Sequence, residues 1–320
     1  MSKSTPEKHT LTYRTVRGLD IQLDYILPEN HDGKEKLPVV VWFHGGGLLQ
    51  GSRKTPYSHL TRAPSKYNLA LISADYRLAP QTRFPQILSD LTSLFTYILS
   101  PAFETATKGV FDVSRIVTCG SSAGGWLSLL SGLKIGFEES GQEWEQKLGD
   151  GRVKGVVGIY PITTVEDKFW HTKQHPVSYF DRVLEEPEMR EYLDPKAKEI
   201  SSNEDDPDRN KMYTYMIQEG ILQNLLLDGT KVDPSAFTVA KAVRSGKTVS
   251  PVPPTYLVHG TADDKVPHNQ SVEVVEAFRE KGLEHLITYE EREGLDHSFD
   301  AKEEEECKAM WDWIVQKFKE

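Results

Sequence analysis

A serine among small residues is the first feature of the sequence that could do chemistry. The segment GSSAG, residues 120–124, fits the pattern Gly-x-Ser-x-Gly with Ser122 at its centre. It joins an apolar run to a segment of helical character, so the serine is expected at a sharp turn from strand to helix. Such a turn holds a hydroxyl at the rim of a sheet, where helix amides face any negative charge that develops. The pattern predicts a nucleophile for acyl transfer.

A serine hydroxyl needs a base, and the base needs an acid that orients it. Among the ten histidines, His297 lies in GLDHSFD, between the last predicted strand and the last helix, at the same edge of the sheet as Ser122. For the acid, Asp263 and Asp264 follow a predicted strand in VHGTADDKVP. The chain order Ser, Asp, His is that of α/β-hydrolases. The residues alone leave the choice between the two aspartates open.

Three glycines in a row follow a predicted core strand in the stretch VVVWFHGGG, residues 39–47. The tetrahedral intermediate of acyl transfer carries an oxyanion, and one aligned donor to it contributes about 2.7 to 4 kcal/mol. Glycines let the backbone bend so that successive amides face one atom. We therefore expect an oxyanion hole made by the amides of Gly45, Gly46 and Ala123. The histidines at the strand tips, His44 and His259, are expected to be structural.

The elements that must position these residues alternate along the chain. Strands are predicted at residues 9–16, 19–27, 38–43, 69–75, 114–120, 153–161, 254–260 and 285–291. Helices are predicted at residues 84–100, 121–135, 269–282 and 301–320. The first two strands indicate an antiparallel hairpin. From residue 38 onward the alternation favours a mostly parallel sheet that helices cover on both faces.

One long segment interrupts this alternation. Residues 162–251 separate two core strands, which is too long for an ordinary loop. The segment carries aromatic residues such as Trp170 and Tyr213, and this disfavours a disordered excursion. Its polar part, residues 201–211, is expected to be mobile. The predicted organisation is a core of residues 1–161 and 252–320, with residues 162–251 as an inserted helical cap.

Composition excludes several classes of function. The formal net charge of −10 makes a nucleic-acid partner unexpected. The two cysteines, Cys119 and Cys307, define no disulfide framework, and no Cys/His cluster has the spacing of a zinc site. The N-terminal sequence MSKSTPEKHT lacks the apolar region of a secretory signal, and no run is long enough for an integral membrane segment. A cytoplasmic location is therefore expected.

Taken together, the motifs resemble the hormone-sensitive-lipase branch of the α/β-hydrolases, also called bacterial family IV or fold-3 esterases. The matching motifs stand in the family's order: HGGG (44–47), DYRLAP (75–80), GSSAGG (120–125), HGTADDKVP (259–267) and DHSF (296–299). The resemblance implies the α/β-hydrolase fold, with a mostly parallel eight-stranded sheet flanked by helices and a helical cap insertion. In the family's His-Gly-x-x-Asp pattern the acid is the first aspartate, so the resemblance selects Asp263.

The resemblance also assigns further residues. It implies structural roles for Asp75, Arg77 and Asp90 beneath the active site. One departure is Ser121, which stands where the family usually has an aspartate. The long inserted segment has no close match in the family. The resemblance therefore says least about the choice of substrate.

The expected function is a serine carboxylic ester hydrolase that acts on small to medium apolar esters without a cofactor or metal. Leu48 and Trp126, together with the aromatic residues of the cap, are expected to line the acyl or alcohol pocket, and plain helix packing is the alternative for Trp126. A small-molecule ester is the expected partner, and a homodimer is an open alternative to a monomer. Two other functions remain: a lactonase, amidase, dehydratase or cyclase of specialised metabolism, or a non-catalytic small-molecule receptor.

Overall fold

The computed structural model describes residues 8–320, so the first seven residues of the polar N-terminal sequence lie outside it. The strands are β1 (Lys8–Val16), β2 (Leu19–Ile26), β3 (Leu37–Phe43), β4 (Ala70–Ala74), β5 (Phe111–Ser121), β6 (Val153–Ile159), β7 (Thr255–Gly260) and β8 (Ile287–Arg292). The helices are α1 (Ser58–Tyr67), α2 (Phe84–Ile98), α3 (Pro101–Ala106), α4 (Ala123–Leu133), α5 (Glu186–Leu193), α6 (Lys211–Glu219), α7 (Leu222–Leu227), α8 (Val239–Ser245), α9 (Asn269–Glu280) and α10 (Lys308–Lys317).

These strands form one sheet in the order β1-β2-β4-β3-β5-β6-β7-β8. β1 pairs with β2 and β2 with β4 in antiparallel fashion, while every pair from β4 to β8 is parallel. The predicted eight-stranded, mostly parallel sheet is therefore confirmed. In the parallel register Phe43 pairs with Gly120, so the segment after β3 begins beside the turn that follows β5.

Alternating side chains of the central strands point to two apolar layers. Val39 and Val41 of β3 pack with the apolar residues of α2, α4 and α9. Val40 and Trp42 pack on the opposite face, with residues of α1 and α10. A strand covered on both faces has to be apolar throughout, which explains the continuous hydrophobic run at β3.

The segment between β6 and β7 contains the four helices α5 to α8. Its polar part, expected to be mobile, is instead anchored to loops that follow β3 and β4. Asn203 and Arg209 there are only 5% and 4% exposed. Their polar atoms bond to backbone groups of the core, as described below, so the polar composition of this part reflects buried hydrogen bonds.

The observed helices differ from the predicted ones at the start of α10 and in the presence of α1 and α3. The last helix begins at Lys308 rather than at residue 301, because Cys307 has the left-handed φ of 42° and ends the preceding turn. The acidic run before it reaches across to α1, where Arg62 donates to Glu303 at 3.2 Å and Lys66 pairs with Glu306. Helices α1 and α3 were not predicted, since their apolar positions are few.

Candidate active site

Ser122 lies at a sharp turn between β5 and α4. Its backbone has φ of 57° and ψ of −123°, a strained combination for a residue with a side chain. Its amide donates to the carbonyl oxygen of Ile159 at 2.8 Å, which fixes the turn. A Cβ on Gly120 would lie 2.1 Å from the carbonyl oxygen of Gly124, and one on Gly124 would lie 2.0 Å from that of Phe43. Close packing therefore requires both glycines of the Gly-x-Ser-x-Gly pattern.

His297 and Asp263 are in direct contact, although 34 positions separate them in the chain. The Nδ1 atom of His297 lies 2.6 Å from Oδ2 of Asp263. Asp264 points elsewhere: its carboxylate accepts from the hydroxyl of Ser178 at 2.6 Å and from Nζ of Lys265 at 2.7 Å. Of the two aspartates that the residues alone could not separate, Asp263 is the one that contacts the imidazole.

Hydrogen-bond donors surround the carboxylate of Asp263. Its Oδ1 accepts from the amides of Lys265 and Val266, both at 2.9 Å. Its Oδ2 also lies 3.2 Å from Nε2 of His259, which is the same distance from the carbonyl oxygen of Val266. Burial alone would raise the pKa of Asp263, but the hydrogen bonds from His259 and His297 hold that pKa well below its ordinary value. Asp263 is therefore an ionised acceptor at neutral pH.

The segment that follows β3, residues 44–52, is called the glycine loop below. Gly45 lies close to the turn at Ser122, since a Cβ on Gly45 would be 3.2 Å from that of the serine. Within residues 8–320, the amides of Gly45, Gly46 and Ala123 donate to no backbone carbonyl. Gly45 and Gly46 line the same cavity as Ser122, so their amides are available to an oxyanion there.

Two buried side chains of the inserted segment hold the glycine loop in place. Oδ1 of Asn203 accepts from the amide of Gly51 at 2.6 Å. Arg209 donates from Nε to the carbonyl oxygen of Leu49 and from Nη2 to that of Ala79, both at 2.8 Å. Burial lowers the pKa of Arg209 to about 10, which leaves it charged at neutral pH. Sequence reasoning missed both residues, because no motif marks them.

The conformation of Gly46 allows a direct test of the glycine loop. Gly46 has φ of +102°, and an added Cβ would lie 2.3 Å from the carbonyl oxygen of Gln50. We expect Gly46→Ala to lower the free energy of unfolding by about 3 kcal/mol or more, since it combines backbone strain with overpacking. If Gly46 donates to an oxyanion as the sequence predicts, hydrolysis of p-nitrophenyl acetate should also fall by about 100-fold or more, because that donor is displaced.

Gly18→Ala is the matched control for this substitution. Gly18 has φ of +82°, but an added Cβ there would meet no atom within 4 Å. Its cost should be the backbone strain alone, about 1 kcal/mol, with activity at the wild-type level. Urea unfolding and hydrolysis of p-nitrophenyl acetate measure the two effects. Equal losses in both variants would contradict the steric role of Gly46.

Ser122 and His297 line one cavity of about 360 Å³. Its other lining residues are Trp42, His44, Gly45, Gly46, Gln50, Gly51, Thr55, Tyr57, Ser121, Tyr160, Asn210, Tyr213, Lys265 and Ser298. Tyr213 comes from the inserted segment, and its hydroxyl donates to the carbonyl oxygen of Lys265 at 2.9 Å. The cavity therefore lies where the glycine loop, the turn at Ser122, the His297 loop and the inserted segment meet.

Leu48 and Trp126, predicted to line the acyl or alcohol pocket, lie in the apolar core instead. Both side chains are fully buried and neither lines this cavity. The ring of Trp126 lies 4.5 Å from that of Phe84, and its Nε1 donates to the carbonyl oxygen of Phe237 at 2.9 Å. Every residue of α4 is buried. The sequence of α4 therefore has no polar face that would distinguish residues in the core from residues at the cavity.

A buried chain of polar side chains lies behind the imidazole. Asp300 accepts from the hydroxyl of Tyr160 and lies 3.1 Å from Nε2 of His59. Nε1 of Trp311 donates to Nδ1 of His59 at 3.2 Å, so His59 carries its proton on Nε2 and donates to Asp300. The ring of Tyr160 lies 4.3 Å from that of His297 and limits its movement. His59 is 2% exposed, so this chain of polar groups lies inside the protein.

Asp75, Arg77 and Asp90, expected to be structural, form buried ion pairs. Arg77 donates from Nε to Asp90 at 2.9 Å. Asp75 accepts from both the amide and the guanidinium of Arg53, each at 2.6 Å. Ser121, where the resembled family usually has an aspartate, lines the cavity, and its hydroxyl faces that of Tyr160.

Metal-ligating clusters and membrane-spanning helices are two further features that residues 8–320 could contain. No group of three or more His, Cys, Asp or Glu side chains there is arranged to hold a metal ion. In the same residues, no helix combines the length and the apolar character needed to cross a membrane.

Family models match most of the chain. The BD-FAE model matches residues 23–201, more than half of the chain, and the model of the prolyl oligopeptidase family matches residues 210–320. An alpha/beta hydrolase superfamily protein from Enterococcus faecalis has a similar structure, with a TM-score of 0.68 and 19% identity over 98% of both chains. At that identity the similarity shows the fold alone.

Curated relatives include both an esterase and a synthase. The versiconal hemiacetal acetate esterase of Aspergillus parasiticus is 31% identical over 166 residues, which are 50% of this chain and 46% of that protein. The methylphloroacetophenone synthase of Cladonia uncialis is 23% identical over 91% of this chain but only 12% of that protein. The chain thus spans less than half the length of these relatives.

Proposed function

The chain belongs to the BD-FAE family and has the α/β-hydrolase fold, and we propose that it is a serine carboxylic ester hydrolase acting through Ser122, His297 and Asp263. One observation carries the proposal. An imidazole that contacts a buried carboxylate at 2.6 Å lines the same cavity as a serine at a strained turn. The esterases among the relatives support the same class of reaction.

The proposed reaction begins when Oγ of Ser122 attacks the ester carbonyl carbon. Nδ1 of His297 faces Asp263, which leaves Nε2 to take the hydroxyl proton. The negative charge on the carbonyl oxygen is stabilised by the amides of Gly45, Gly46 and Ala123. As the carbon–oxygen bond breaks, His297 returns the proton to the leaving alcohol. Water repeats the sequence on the acyl-enzyme and releases the acid and the free serine.

This mechanism predicts the pH dependence of activity. Asp263 has its pKa held well below the ordinary value by its hydrogen bonds, so it stays ionised during mild acidification. Activity should therefore fall on acidification, since a protonated imidazole accepts no proton from Ser122. The measurement is kcat/KM for p-nitrophenyl acetate from pH 5 to 8, with the folded state followed by circular dichroism. A flat profile over that range would count against His297 as the base.

The enzyme and the receptor hypotheses differ in one cheap measurement. A fluorophosphonate probe should modify Ser122 covalently in the wild type, and p-nitrophenyl acetate should be turned over. The absence of both labelling and turnover would overturn the proposal and favour a non-catalytic receptor. Turnover of lactones or amides in preference to esters would favour the other reactions expected on this fold.

The cavity of about 360 Å³ supports a small ester as substrate. The expected apolar character of that ester depended on Leu48 and Trp126 together with the aromatic residues of the cap. Because Leu48 and Trp126 lie in the core, it is not part of this proposal. We also propose that helices α5 to α8, within residues 162–251, act as a cap over the site. The homodimer and the cytoplasmic location stay predictions.

A further inference from the structure

Three buried polar atoms on residues of the cavity wall have no hydrogen-bond partner within residues 8–320. One is Oγ of Ser121, and the other two lie on larger side chains. These two are Nε1 of Trp42 and Nε2 of His44, on side chains from residues that are only 2% and 1% exposed. A buried polar atom without a hydrogen bond destabilises a protein by about 1 to 3 kcal/mol. Such atoms therefore tend to meet a polar group of a ligand, and both residues line the cavity that contains Ser122.

The atoms of Trp42 and His44 have opposite hydrogen-bonding character. The indole Nε1 of Trp42 can only donate. Nδ1 of His44 lies 2.8 Å from the carbonyl oxygen of Gly45, which can only accept, so the proton of the imidazole is on Nδ1. Burial lowers the pKa of His44 to about 4, so at neutral pH the ring is uncharged and its Nε2 is an acceptor.

Gln50 adds a donor to this wall. The amide of Tyr213 lies 3.2 Å from the side-chain amide of Gln50, and a backbone N–H can only donate. The oxygen of the Gln50 side chain must therefore face Tyr213. This leaves the NH₂ group of Gln50 without a partner among residues 8–320.

Asn210 adds a second donor by the same logic. The amide of Gly51 donates to Asn203, which fixes Oδ1 of Asn203 as the acceptor and its Nδ2 as a donor. Nδ2 of Asn203 lies 2.9 Å from Asn210, so Asn210 presents its oxygen there. Its NH₂ group has no acceptor in the described part of the chain, and Asn210, which is an exposed residue, lines the cavity.

The lining of the cavity lacks aliphatic side chains. Within residues 8–320, no Leu, Ile, Val, Met or Phe lines it, and the rings of Trp42 and three tyrosines are its largest apolar groups. Specific pockets for alkyl chains are built mainly from hydrophobic side chains. An alkyl chain here would leave the polar atoms of the wall without partners.

Resting on the proposed function, we propose that Trp42, His44, Gln50 and Asn210 form a subsite for a hydroxyl group of the substrate. A hydroxyl both donates and accepts, so it can donate to Nε2 of His44 while it accepts from one of the three N–H donors. The substrate class is then a small hydroxylated ester rather than an ester of two aliphatic chains. The hydroxyl belongs to either the acid or the alcohol part of the ester.

The test compares esters in which a hydroxyl replaces a methyl group of equal size. On the acid side the pair is methyl 3-hydroxybutanoate and methyl 3-methylbutanoate. On the alcohol side it is 3-hydroxypropyl acetate and butyl acetate. The rate of acid release gives kcat/KM for each ester. We expect the wild type to favour the hydroxyl member of one pair by about tenfold or more, and that pair identifies which part carries the hydroxyl.

Two substitutions each remove one donor; Asn210→Leu keeps the shape of the side chain, and Trp42→Phe makes it smaller, as the control Trp313→Phe also does. Trp42→Phe removes the indole N–H, and Asn210→Leu removes the side-chain amide. Each should lower the hydroxyl-to-methyl ratio by about fivefold, the usual effect of one neutral hydrogen bond. Trp313→Phe on α10 and Asn269→Leu on α9 are the matched controls, and both should keep the wild-type ratio. The ratio is independent of the fraction of folded enzyme, so reduced stability does not obscure the result.

A wild type that prefers the methyl members of both pairs would overturn the subsite. Equal losses for both members of a pair, or an unchanged ratio in both Trp42→Phe and Asn210→Leu, would do the same. These results differ from failure of the proposed function, in which the wild type hydrolyses none of the esters and Ser122 is not labelled by a fluorophosphonate.

Discussion

Ser122→Ala is expected to lower kcat for ester hydrolysis by about four to six orders of magnitude. Without the hydroxyl no acyl-enzyme forms, and His297 has no proton to take. The remaining rate would come from substrate binding and from the amides of Gly45 and Gly46, which can still polarise the carbonyl. Covalent labelling by a fluorophosphonate should be lost completely. Stopped-flow or extended assays with p-nitrophenyl acetate measure the difference.

Ser131→Ala is a suitable control for this substitution. Ser131 lies on α4, is also fully buried, and donates only to carbonyl oxygens of its own helix, such as that of Leu127 at 2.7 Å. It should keep both labelling and turnover. If Ser122→Ala retained a tenth of the wild-type activity while Ser131→Ala lost it, another residue would have to be the nucleophile.

The fold was predictable because its central strands are buried on both faces. Runs such as VVVWF leave no alternative to a core strand, and the parallel order follows from the alternation with helices. Helix ends were less accessible. The start of α10 depends on the left-handed backbone of Cys307, and on pairs such as Lys66 with Glu306 that join distant parts of the chain.

The candidate site was predictable where backbone geometry demands particular residue types. A Cβ at Gly120 or Gly124 would lie 2.1 or 2.0 Å from a carbonyl oxygen, so only glycine fits at these positions. Such a requirement leaves a motif in the sequence. Asn203 and Arg209 hold the glycine loop through single side-chain bonds, which leave no local pattern. Trp126 was expected at the pocket because a large aromatic residue close to a nucleophile fits either a core or a cavity.

Asp263→Asn is expected to lower kcat by about 10⁴-fold. Oδ1 of Asp263 accepts from two backbone amides, so the oxygen of an asparagine would take that place. Its NH₂ group would then face the imidazoles of His259 and His297. To accept this hydrogen bond, His297 would have to hold its proton on Nε2. In that tautomer it takes no proton from Ser122, although the geometry of the site is kept.

Asp264→Asn separates this argument from a general effect of lost charge. Asp264 is the next residue in the chain, and its substitution by asparagine removes the same negative charge. Its carboxylate contacts Ser178 and Lys265 instead of the imidazole. Its activity should stay at the wild-type level, while labelling by a fluorophosphonate slows only in Asp263→Asn. Thermal unfolding of both variants shows whether either loss of activity follows from unfolding. Both substitutions remove one negative charge, but only Asp263→Asn is expected to change the tautomer of His297. A folded Asp264→Asn variant with a large loss of activity, beside an active Asp263→Asn variant, would therefore assign the orienting role to Asp264.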